Sequence, residues 1–188
     1  MIFTYGYLFY LPINLIYAVV ILFFGKKKKK DFPYYIFAVI FAVYQNAAID
    51  LVYFPLLIVN VKEWGSISNF VDLSLNFMEM GGIYQVVGNI LLTVPLGILL
   101  PFILDIKPWP RRILTLIVSA FIEIVQFFII YFFHTVSLFF DVKDIILNIC
   151  GGIIGIIIFE IVADIVRKKL NRFSDKNKLF HYIYEICQ

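Results

Sequence analysis

Glu123 stands in the middle of an apolar run, with Ser119 four residues before it and Gln126 three residues after it. At helical pitch the three share one stripe. Asp144 and Asn148 are one turn apart near the start of another apolar run and follow Asp141 and Lys143; Gln85 and Asn89 open a third run; Gln45, Asn46 and Asp50 lie late in a fourth. Carboxylates in such a set can exchange protons with a bound group or hold sugar hydroxyls, and the amides and the serine can orient it. The plainer role is to bond helix to helix, which an amide performs well. A carboxylate performs it at greater expense, because a charge at mid-membrane costs about 3 kcal/mol or more. Glu123 and Asp144 are therefore the catalytic candidates. Asp50, Asn89, Ser119, Gln126, Asp141, Lys143 and Asn148 are the candidate lining of a ligand pocket. His134 and His181 have no partner spacing that makes a nucleophile–base pair. No Gly-rich phosphate loop or metal-ligand spacing occurs, so neither a cofactor nor a metal is expected. Cys150 and Cys187 give no disulfide framework.

The elements that carry these residues follow from composition. The chain has 188 residues, 62% hydrophobic and 15% charged, with 21 Phe, 12 Tyr and a mean hydropathy of +0.93. A water-soluble fold of this size has too little interior for so much apolar side chain. Runs of about 20 apolar residues cross a bilayer as helices. Five are present, at about 5–24, 34–57, 84–104, 113–133 and 145–166. The expected fold is all-α, a polytopic membrane bundle in one domain over 1–188. The first run lacks a basic leader, so it is expected to stay as a span. Lys107-Pro108-Trp109-Pro110-Arg111 reads as a tight turn between spans three and four. Residues 66–80 are too polar to span, but Phe70, Leu73, Phe77 and Met80 recur at helical spacing. An amphipathic helix lying on the outer membrane surface is predicted there. A similar, weaker pattern runs over 179–186 in the tail, 167–188.

The basic residues orient the bundle. With the N-terminus outside, 14 of the 16 Lys and Arg fall at the cytoplasmic face, in 26–30, 107–112 and the tail. That asymmetry fixes topology under the positive-inside rule. Spans two and four then carry their polar residues in the second half, and spans three and five near the start. All sit in the outer half of the membrane, with Glu123 the deepest acid, roughly 15 Å from the outer end of its span. Four segments converging on one depth predict a polar pocket open to the outside. Gly151 and Gly155 form a GxxxG pair expected to press span five against span four or three. Pro95 is expected to free a carbonyl near Leu91 and kink span three.

Three ordered stretches carry a resemblance: Asn89-Ile-Leu-Leu-Thr-Val-Pro95-Leu-Gly97; Ser119-Ala-Phe-Ile-Glu123-Ile-Val-Gln126; and Asp141-Val-Lys-Asp144-Ile-Ile-Leu-Asn148-Ile-Cys-Gly151. Over about 34–159 the chain resembles the VanZ-like membrane proteins. The resemblance implies a multi-pass protein of a bacterial cell membrane with a cell-envelope role, and it raises lower susceptibility to the glycopeptide teicoplanin. It carries over Asn89, Pro95, Gly97, Ser119, Glu123, Gln126, Asp141, Asp144, Asn148 and Gly151. Many relatives have an Arg where this chain has Leu138, and often an acid where Lys143 stands.

Three functions fit at this point. The protein binds or modifies a lipid-linked cell-wall precursor or other envelope molecule; it is a non-catalytic binding or partner protein that alters antibiotic access; or it is a small proton-coupled transporter. Catalysis stays open between the first two. No inverted repeat is present, and spans two to four carry no acid in their inner halves, which speaks against transport. The expected partners are the lipid bilayer and a lipid-linked precursor or glycopeptide, with no nucleic acid.

Overall fold

The fold is a computed structural model that describes residues 1–3, 7–77, 82–169 and 177–187. Among the described residues, five helices are long and apolar enough to cross a bilayer: α1 (Tyr7–Lys27), α2 (Phe32–Tyr53), α4 (Ile83–Ile103), α5 (Pro108–Phe133) and α6 (Val142–Lys169). The predicted all-α membrane bundle is thus observed. Helices suit these runs because each backbone bond closes within its own segment, leaving nothing polar to face lipid. Leu11, Leu15, Ile16 and Phe23 of α1 and Phe121, Phe128 and Phe132 of α5 are exposed, as lipid-facing side chains would be.

Several boundaries differ from the sequence expectation. Span two stops at Tyr53 and not at Leu57, because Pro55 drives Phe54 out of helical geometry. Leu56–Leu57 then forms β2, paired antiparallel with β1 (Ile2–Phe3). Span four starts at Pro108, five residues before Ile113. The two prolines fall in its first turn, where their missing N–H groups have no intrahelical partner to lose. Pro95 and Pro101 both lie inside an uninterrupted α4.

The surface helix expected over 66–80 is not found. After the short α3 (Val61–Trp64), one 3-10 turn (Ile67–Phe70) leads into β3 (Val71–Asp72), which pairs in parallel with β4 (Phe140–Asp141). Residues 73–76 are not helical, and Met80 lies outside the described residues. The cause is local competition: the Ser66 hydroxyl accepts the Ser68 N–H, and an Asp72 carboxylate oxygen accepts the Ser74 N–H at 2.8 Å. Such side-chain acceptors offer the backbone an alternative to a helix. The apolar stripe dissolves with it. Phe70 stacks on Trp64 with ring centroids 5.6 Å apart, while Leu73 is 70% exposed.

This loop end is woven shut. The Trp64 indole donates to the Thr135 carbonyl at 3.1 Å, and the Thr135 hydroxyl donates to the Leu57 carbonyl at 2.8 Å. Leu56, Trp64, Ile130 and Leu138 are buried together beneath. At the opposite, basic end, α7 (Lys178–Cys187) lies across α6, α2 and α4. Its Tyr182 hydroxyl donates to the Phe102 carbonyl and joins a core with Ile21, Tyr34, Ala38 and Ile103. His181 is exposed, 3.3 Å from Glu185.

The bundle is tightest where α6 meets α4. A Cβ on Gly151 would collide with the Ile90 carbonyl and the Thr93 hydroxyl, and one on Gly155 with the Val94 carbonyl and Gly97. Gly97 in turn meets the backbone of Gly152, Gly155 and Ile156. The GxxxG pair therefore presses span five against span three, while Gly152 faces Ser119 and Thr115 of α5. With no hydrophobic force between helices in lipid, close backbone approach supplies the packing attraction.

Candidate functional site

Between α2, α4 and α5, and reaching the first turn of α6, lies a cavity of about 570 Å³. Glu123 and Gln126 enter it from α5, Asn89 and Gln85 from α4, and Asp144 from α6. The remaining lining is mostly apolar, including Tyr44, Leu92, Pro95 and Ile122. The rim is exposed at Leu51 of α2 and at Tyr84 and Leu91 of α4. These are helix faces that would meet lipid tails, so the cavity opens sideways between α2 and α4.

Local structure puts each acid where it is. The crossing of Gly152 with Ser119 fixes the α5–α6 register. One turn along each antiparallel helix from that crossing stand Glu123 and Asn148. Both are buried, Glu123 at 3% exposure and Asn148 at 0%. Asp144 lies in the first turn of α6, whose positive helix end favours a carboxylate. Asp141 caps that helix by accepting the Lys143 N–H at 2.8 Å. The Gln85 amide donates to both Asp144 oxygens, at 3.0 and 3.1 Å. The Asp144 and Asp141 carboxylates lie near Glu123, which also accepts the Asp141 backbone N–H. One Glu123 oxygen, Oε2, is buried without a hydrogen-bond partner.

Of the residues singled out from sequence, Glu123, Asp144, Asn89 and Gln126 line the cavity together. Five do not. Ser119 is fully buried and donates to the Thr115 carbonyl at 2.9 Å, a helix-packing role beside Gly152. Asn148 accepts the Thr93 hydroxyl on its carbonyl at 2.6 Å, and neither atom of its side-chain amide has a partner. Asp50 is half-buried on α2, one turn past Asn46, whose amide bonds Asn14 of α1 at 3.1 Å. Asp141 and Lys143 form a closed ion cluster at the loop end. The Lys143 Nζ is 2.5 Å from Asp72 Oδ2 and 3.1 Å from Asp141 Oδ1, with its side chain 1% exposed. The Lys143 ammonium is thus held by two carboxylates.

Sequence reasoning missed Asp72, which completes that cluster across 71 positions of chain; no spacing rule reaches so far. Its carboxyl is held down at about 2, chiefly by the Lys143 ammonium and then by Ser74. Gln85 and Tyr44 were also missed as lining. Gln85 shares the Asn89 face and was readable from its spacing. The Tyr44 hydroxyl donates to the Leu92 carbonyl at 2.9 Å and gave no signal in sequence. Among the described residues no group of three His, Cys, Asp or Glu could hold a metal ion.

The fold and this cavity define a multi-pass membrane protein with a polar recess in an apolar wall. The chain matches the VanZ/LLP1 family over residues 9–163, and it belongs to that family. No curated protein and no solved structure matches it.

Proposed function

We propose that the protein receives the head of a lipid-linked envelope molecule in this cavity from the outer leaflet of a bacterial cell membrane. The carrying observation is that Glu123 and Asp144, two acids in spanning helices, line a recess whose rim of Leu51, Tyr84 and Leu91 is exposed on the helix faces. An ionisable group at that depth is retained against its solvation penalty when it has work to do. An amphipathic ligand matches both parts, with its tail leaving between α2 and α4 and its head at the acids. Under this reading the envelope outcome is lower susceptibility to a glycopeptide such as teicoplanin. It holds for binding alone or for acid–base chemistry at the two carboxylates.

The orientation belongs to the same proposal. The N-terminus lies outside and α7 in the cytoplasm, supported by the distribution of Lys and Arg. Reporters fused after Lys30, Gly65, Pro108 and Ser137 then read in, out, in and out. A cytoplasmic signal at Gly65 or Ser137 would move the recess to the inner leaflet.

Glu123→Gln tests the role of the acid, since the amide keeps the shape and removes the charge. The expected result is a protein that inserts and melts normally but no longer supports glycopeptide tolerance or retains co-purifying lipid. Asp144→Asn should behave alike. Full tolerance in a well-folded Glu123→Gln protein would reduce Glu123 to packing.

A further inference from the structure

The recess has a polarity of its own. Its lining has two carboxyl groups, Glu123 and Asp144, and among the described lining residues there is no Lys, Arg or His. The cation nearest in sequence, Lys143, is already bound by Asp72 at 2.5 Å and by Asp141 at 3.1 Å. The buried lining atoms without a partner are Glu123 Oε2 and Gln126 Oε1, and both are acceptors. The Gln126 assignment follows from its other side: Nε2 donates to the Val52 carbonyl at 3.3 Å, which leaves the oxygen facing away from that bond. Asp144 is met by two amides, Gln85 Nε2 on both its oxygens and the Asn89 side chain, and a carboxylate has about four lone-pair positions, so room for a further donor remains. A buried acceptor without a donor is costly, and more so when it carries charge.

We infer that the headgroup taken by this recess bears a primary ammonium, so that the ligand is an amine-bearing lipid and not a lipid phosphate. The inference rests on the lipid-linked reading above and adds the chemistry of the head. An ammonium is three donors and no acceptor. It meets Glu123, Gln126 and Asp144 as three acceptors and brings the cation that the lining residues lack. A phosphate presents only acceptors and a like charge, which a weakly solvated site repels. A neutral sugar head supplies donors but no charge. The tail has a way out through small residues, Ala47 and Ala48 on α2 and Gly88 on α4. A Cβ on Gly88 meets nothing within 4 Å, so a slit stands open there.

The test uses the full chain in phosphatidylcholine nanodiscs, titrated calorimetrically with dodecylamine, dodecyl glucoside and dodecyl phosphate against empty nanodiscs. Dodecylamine should bind at least about tenfold more tightly than either of the others. Glu123→Gln and Asp144→Asn should each erase that preference. Gly88→Phe, whose Cβ has open space and whose ring adds bulk at the slit, should abolish binding of all three. Phosphate or glucoside binding as tightly as the amine, and lost in Gly88→Phe, overturns the ammonium while leaving a lipid-linked ligand in place. Amine binding that survives Gly88→Phe is partition into the bilayer and overturns both readings.

Discussion

Two helix pairs in this bundle solve the same packing problem in opposite ways. The α4–α6 pair meets through Gly97, Gly151 and Gly155, backbone against backbone, with the Thr93 hydroxyl donating across to the Asn148 carbonyl at 2.6 Å. The α1–α2 pair meets through large side chains. Tyr17 and Phe41 stack with centroids 5.9 Å apart, the Tyr17 hydroxyl donates to the Ala38 carbonyl at 3.0 Å, and Asn14 bonds Asn46. Rings and long side chains can shift by a rotamer; a backbone crossing cannot. The tight pair carries Asn89 and Asp144, and α2 of the looser one forms the far wall of the cavity. The recess is therefore a fixed polar side facing an adjustable apolar one, which suits a ligand with a defined head and a variable tail.

The contrast breaks most directly at the glycines. Gly151→Leu or Gly155→Leu should destabilise by about 3 kcal/mol or more, or prevent folding, because the new side chain has backbone to displace. Thermal unfolding in detergent measures it, and an unchanged midpoint would place that glycine against lipid. The ion cluster is the next strongest test. Lys143→Met leaves Asp72 and Asp141 facing each other without a cation, so the 66–77 loop should lose hydrogen-exchange protection while α1 and α2 keep theirs. Equal loosening of both would erase the distinction between the two halves.

A pH titration should reach the same loop more gently. The Asp72 carboxyl sits at about 2 in the fold against an ordinary 3.8, so it titrates below its unfolded value. Its contribution is complete above about pH 4 and disappears as pH falls through 2. Protection of residues 66–77 should follow that window, and Asp72→Asn should make it low and flat. Protection that begins to fail near pH 6 would assign control to another group. The smallest effect belongs to the aromatic pair. Tyr17→Phe removes one interhelical hydrogen bond and should cost about 0.6 kcal/mol, at most ~1.7. A loss matching the glycine variants would show that α1–α2 is as rigid as α4–α6.

The sequence by itself determined the spans, because a spanning helix satisfies its backbone within one apolar segment and needs no partner to be specified. It also brought Glu123, Gln126, Asn89 and Asp144 to one level, since helical pitch converts spacing into depth. The tertiary structure decided everything that depends on a neighbour. It set Ser119 and the Asn148 backbone carbonyl at helix contacts, kept Asp50 off the cavity and gave Lys143 to Asp72. It also sent the Gly151–Gly155 face to span three. A stripe of polar or small residues states that a helix has a preferred face. Which helix lies against that face is set by the relative rotation and offset of segments tens of residues apart, and no local periodicity encodes it.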